Sequence, residues 1–149
     1  MAVLEYGLKT GNERVIVIDA KTGAIVADET GTPNHVEWLM DTAYKGKIVT
    51  VHNHPNNMPF SSLDLYTFGK IRQTLCMGVQ GHNGATYALR KTDDIPFTIS
   101  EDALTSLFRR IGRDQKHINK TYIQKCEISV AFVAKKMRWV FLKGVKGDG

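Results

Sequence analysis

Between Arg14 and Ala27 the apolar positions cluster in short β-branched runs. R14-V-I-V-I-D19 is rich in Val and Ile, K21-T-G23 is a turn signal, and A24-I-V-A27 predicts the returning strand of a hairpin. From Pro33 the period changes: Val36, Leu39, Met40 and Ala43 fall at i, i+3, i+4 and i+7 behind Asn34, which predicts an N-capped helix ended by Gly46. K47-I-V-T-V-H52 is again apolar and β-branched and predicts a buried strand. After a loop bounded by Pro55 and Pro59, Ser61 opens a second helix, with Leu65, Phe68, Ile71 and Leu75 as a rough apolar stripe. M77-G-V-Q80 and A85-T-Y-A-L-R90 read as paired strands around Asn83-Gly84, a type I′ turn signal. Ser100-Glu101-Asp102 starts another helix carrying Leu104, Leu107, Phe108 and Ile111. Ile118, Tyr122 and Cys126 continue at helical spacing, with Gly112 either breaking this stretch or weakening it.

The predicted order is β-β-α-β-α-β-β followed by a helical C-terminal third. This is the pattern of an α/β fold: a mixed sheet flanked by helices. The expected organisation is a core over 1–99 and a helical extension over 100–149, packed on or beside it. K143-G-V-K-G-D-G149 reads as a frayed end, or the stump of a longer chain.

Composition narrows the class. The chain has 149 residues, 42% hydrophobic and 23% charged, enough to bury a core and too apolar for wholesale disorder. Its first ten residues lack the pattern of a signal peptide, and no apolar run is long enough to span a bilayer. Cys76 and Cys126 form no C-x-x-C pair, so neither a disulfide framework nor a thiolate zinc site is indicated. The expectation is a soluble, cytoplasmic protein with no membrane partner. The net charge of +5 is uneven: residues 1–99 hold nine Lys/Arg against ten Asp/Glu, and residues 100–149 eleven against five. Such a basic end suits an acidic partner or nucleic acid, with Arg109, Arg110 and Arg113 as candidate phosphate contacts; a solvated helix face explains it equally well.

The chemistry concentrates in V51-H-N-H-P55 and S61-S-L-D64. Side chains two apart on a strand share a face, so His52 and His54 can converge on one ion, and Asp64 lies one turn inside the next helix. Two imidazoles and a carboxylate are a usual set for catalytic zinc. The same residues also admit a plainer account. Ser61-x-x-Asp64 is a helix-capping pattern, Asn53, Asn56 and Asn57 suit turns, and a lone H-x-H is commonly structural. His35 is a rival ligand or a surface histidine, and His82-Asn83-Gly84 reads as turn chemistry. Trp38 and Trp139 suit core or interface anchors.

H52-N-H-P55 followed by Ser61-x-x-Asp64 resembles the JAB/JAMM (MPN+) metalloprotease signature, and H-N-H-P resembles its bacterial RadC-like branch. The resemblance covers about residues 10–92. It implies a JAB/MPN-like core, with cytidine-deaminase-like layering, in which the H-x-H strand is central. It also implies Zn²⁺ held by His52, His54 and Asp64, with Glu13 at the head of E13-R-V-I-V-I-D19 as general base on the zinc-bound water and Ser61 as donor to the oxyanion. Glu29 and Glu37 do not match the family's glutamate position. The family pattern has seven residues between the second histidine and the serine; this chain has six. Pairing Ser62 with Leu65 would restore the count but lose the carboxylate, so Ser61 and Asp64 are kept together. The function implied is zinc-dependent hydrolysis of amide or isopeptide bonds in a peptide or protein substrate. The alternatives are a RadC-like DNA-associated protein using the basic C-terminal helices and a scaffold domain without catalysis. A homo-oligomer is compatible with any of them.

Overall fold

The computed structural model describes residues 3–36 and 44–144. Among these residues, six strands form one mixed sheet: β1 (Arg14–Asp19), β2 (Ile25–Thr30), β3 (Ile48–His54), β4 (Thr74–Gly81), β5 (Thr86–Lys91) and β6 (Trp139–Gly144). Their order is β2-β1-β3-β4-β5-β6. β3 and β4 are parallel, and every other neighbouring pair is antiparallel. The helices are α1 (Val3–Thr10), α2 (Ser62–Lys70), α3 (Glu101–Arg113) and α4 (Tyr122–Met137), with a 3₁₀ turn over Gln115–His117. The chain is therefore an α/β protein with a mixed sheet flanked by helices.

Strand register decides which residues share a face. Val15 lies opposite His52, His52 beside Val79, and Val79 opposite Tyr87. Because side chains alternate, Val15, Val17, Ile48, Thr50, His52, His54, Met77, Val79, Tyr87 and Leu89 all point to one side. The core forms there: Leu65 and Phe68 of α2, Leu104 of α3 and Val130, Val133, Ala134 and Met137 of α4 bury against Met77, Val79, Tyr87 and Leu89. A smaller cluster of Val15, Val17 and Ile48 continues it towards β1. The other side of the sheet carries α1. Gly7 sets how close that helix comes, since a Cβ there would lie 2.2 Å from Asn53 Nδ2 and 2.4 Å from His82 Nε2.

The structure departs from the expected pattern at definite places. Residues 3–10 form α1, for which the apolar pattern gave no element. Asn34 caps no helix within the described segment, where residues 34–36 are irregular; the rest of that expected helix, with Glu37 and Trp38, lies outside the described residues. Ile71 is the extended C-cap of α2, and Leu75 belongs to β4 and is 37% exposed, so the α2 stripe stops at Phe68. At the hairpin after β4, Gly84 takes the left-handed position (φ 89°), and its N–H donates to the Gly81 carbonyl. That is a three-residue loop rather than a type I′ turn.

Gly112 neither breaks nor ends α3, which runs to Arg113. Ile118 is 64% exposed and precedes α4, whose N-cap is Thr121, in a capping box with Gln124. Trp139 is a core residue, packed edge-on against Phe68 and stacked on Phe97. Lys143 and Gly144 pair with Tyr87 and Thr86 in β6, so the order expected for the C-terminal end stops short of a sixth strand.

Candidate metal centre

β3 delivers two imidazoles to the covered face of the sheet, and the N-terminus of α2 delivers the carboxylate. His52 Nε2 and His54 Nε2 lie 3.0 Å apart. Asp64 Oδ1 is 3.4 Å from His52 Nε2, and its Oδ2 is 3.3 Å from His54 Nε2. Both histidines are buried, and the Asp64 side chain is 20% exposed.

Local chemistry explains why these atoms converge. The Met58 carbonyl lies 2.8 Å from His54 Nδ1 and accepts its N–H, so Nε2 of that ring faces the cluster. Asn57 (φ 64°) turns the loop, its N–H donating to the His54 carbonyl and its Oδ1 accepting from Asn83 N–H. Phe60, 1% exposed, anchors the loop in the core. Ser61 then caps α2: its Oγ accepts the Asp64 N–H, while Asp64 Oδ2 accepts the Ser61 N–H at 2.9 Å. The cap and the cluster are thus one arrangement, and capping holds the carboxylate opposite the imidazoles. Leu65, in contrast, is wholly buried in the core, which supports the pairing of Ser61 with Asp64.

Glu13 joins from β1. Its N–H and carbonyl bond to Thr32 and Gly31, extending the pairing with β2, and its parity with Val15 directs its side chain to the histidine face. Glu13 Oε1 is 4.0 Å from His54 Nε2, and the residue is only 6% exposed. Glu29 lies across β1 from His52, one strand farther from the cluster. His35 lines the same cavity without joining the cluster.

Electrostatics follow from burial and crowding. Burial lifts the Glu13 carboxyl to about 7, with neighbouring Asp64 adding to the rise and His54 opposing it. Burial would lower His54, but hydrogen bonding and attraction from Asp64 override it and raise that imidazole to about 9. Burial disfavours the Asp64 anion too, yet the two histidines hold its carboxyl well below the usual carboxylate range. The Asp64 carboxylate thus favours positive charge at its side of the cluster. Ligand atoms on a tetrahedral zinc with bonds of about 2.0–2.1 Å lie roughly 3.3–3.4 Å apart, close to the separations seen here. His52, His54 and Asp64 therefore fit a divalent ion in donor type, spacing and burial.

The cluster opens into a cavity of about 860 Å³ whose wall includes Glu13, Ser61, Phe108, Arg109, Arg113 and Lys125. Two contributors escape a reading of the sequence. Asn53, wholly buried between the two histidines, accepts the Arg14 N–H at 2.7 Å and donates to the Asn12 carbonyl at 2.9 Å, with His82 Nε2 3.0 Å away. Its opposite parity in H-N-H is the available signal, since it places the amide on the far face of the strand. The Met58 carbonyl leaves no sequence signal, because any residue could supply it.

Compared with known proteins, the chain matches no family model, no curated protein and no solved structure. Among the described residues, no helix is long and apolar enough to cross a membrane.

Proposed function

We propose that the chain is a zinc-dependent hydrolase of amide or isopeptide bonds, a metallopeptidase of the JAB/JAMM kind, acting in the cytoplasm. The observation that carries this reading is the convergence of His52, His54 and Asp64 beside a buried glutamate at the edge of a cavity. His52 Nε2, His54 Nε2 and an Asp64 oxygen would hold the ion. Zinc, when bound, supplies Lewis acidity and brings the pKa of a coordinated water towards ~7. Glu13, buried with its Oε1 4.0 Å from His54 Nε2, takes the proton from the attacking water at its carboxylate. It then returns the proton to the departing amine nitrogen, so the carboxylate is regenerated as the C–N bond breaks. Ser61 Oγ already accepts the Asp64 N–H, which leaves its O–H free to donate to the oxyanion that develops on the scissile carbonyl.

Glu13→Gln separates holding the ion from using it. In a zinc-loaded preparation turning over a peptide or isopeptide substrate, the variant keeps its zinc and loses about 10²–10⁴-fold in kcat. Turnover within a factor of two or so of wild type would remove Glu13 from the mechanism.

A further inference from the structure

The cavity extends well beyond the reacting atoms, and its far wall has a definite charge. α3 contributes Arg109 and Arg113, four residues apart and therefore on one helix face, and α4 contributes Lys125. Among the described residues, the carboxylates lining the cavity are Glu13 and Asp64, both part of the His52–His54–Asp64 cluster or beside it. Among the described residues, Arg109 and Arg113 make no ion pair with a carboxylate. Carbonyls at the end of α3 would weaken an anion site, but the Lys125 ammonium donates to the Gly112 carbonyl at 3.0 Å and offsets them. Met58, Phe60 and Phe108 form apolar wall within the same cavity.

We infer that Arg109 and Arg113 select an acidic peptide, binding a side-chain carboxylate of the substrate while its amide lies against the metal cluster. This rests on the hydrolase reading and names the substrate class of that site. Guanidinium groups suit the task because their paired N–H donors match a carboxylate's two oxygens. A peptide fits better than duplex nucleic acid. Two exposed arginines lining a cavity with apolar wall do not make the extended cationic strip that a phosphate backbone requires. Of Arg109, Arg110 and Arg113, the first and last line the cavity that holds the cluster, and all three border a shallow hollow with Ser106 and Asp114.

The test needs binding rather than turnover. Two fluorescein-labelled nonapeptides, identical except that the glutamates of one are glutamines in the other, are titrated with the whole chain in the presence of zinc, and anisotropy is recorded. The glutamate peptide binds about tenfold more tightly, and the Arg109→Gln/Arg113→Gln variant erases the preference. Both positions are exposed, so the variant keeps its fold, which circular dichroism verifies. The inference is overturned by equal affinities, by no measurable binding of the glutamate peptide, or by a preference that survives in the variant. Displacement of that peptide by a tighter-binding DNA duplex, with the same arginine dependence, would overturn it in favour of nucleic acid. A charge preference without any peptide cleavage would count against the hydrolase reading alone.

Discussion

A single carboxylate serves two structures at Asp64. It closes the capping box of α2 and faces both imidazoles, so the force that starts the helix also orients the carboxylate. This much was legible: the two-residue spacing of His52 and His54 sets them on one face, and S-x-x-D announces a cap. Glu13 was legible only through a family resemblance, because a lone glutamate at a strand start carries no periodic signal. Asn53 was not legible as a functional residue. Its role depends on α1, the Asn12 turn and the β4–β5 hairpin meeting around it, and no local pattern encodes that meeting. The structure makes it the pin that aligns β1 with β3 and hence Glu13 with His54. Asn53→Ala leaves the Arg14 N–H and the Asn12 carbonyl without this partner in a buried setting, which predicts a loss of about 2–3 kcal/mol in urea unfolding. A loss below about 0.5 kcal/mol would show that the strands align without it.

Among the elements, α2 carries the carboxylate of the cluster and is fixed at both ends. Ser61 caps its start, and Lys91 of β5 secures its finish, the half-buried ammonium donating to the Phe68 carbonyl at 2.6 Å and the Ile71 carbonyl at 3.0 Å. Burial, aided by Lys47, lowers this lysine from 10.5 to about 8. Between those values the unfolded chain binds more protons than the folded one, so this group makes stability rise with pH across the window from 8 to 10.5. Unfolding free energies of wild type and Lys91→Met, measured through that range, should show their difference shifting towards wild type as pH rises; a flat difference would contradict the depressed value. Other elements hid from the sequence for physical reasons. β6 follows α4 through Arg138 alone, in a left-handed conformation (φ 58°) usually reserved for glycine, so no Gly or Pro marks the boundary. Leu75 falls at helical spacing by coincidence, since the chain turns extended at Ile71.

At the scale of the molecule, the sheet order puts β3 between its antiparallel neighbour β1 and its parallel neighbour β4. That position brings Glu13 to the histidines from one side, while the β3–α2–β4 crossover brings Asp64 across the same face. Alternation and turn chemistry revealed the α/β class and the five inner and leading strands. They did not reveal how α3 and α4 close a cavity over the cluster, because Arg109, Arg113 and Lys125 meet the site only through tertiary packing. On the proposed reading, this convergence holds a metal ion. Elemental analysis of stripped and zinc-reloaded protein tests it most directly, with thermal unfolding beside it. Wild type is predicted to retain one zinc per chain and, at about 100-fold excess over Kd, to gain about 5–10 °C in Tm. His52→Ala should retain none and show no such gain. A wild-type protein that holds no zinc and melts at the same temperature with and without it would rule out the metal centre.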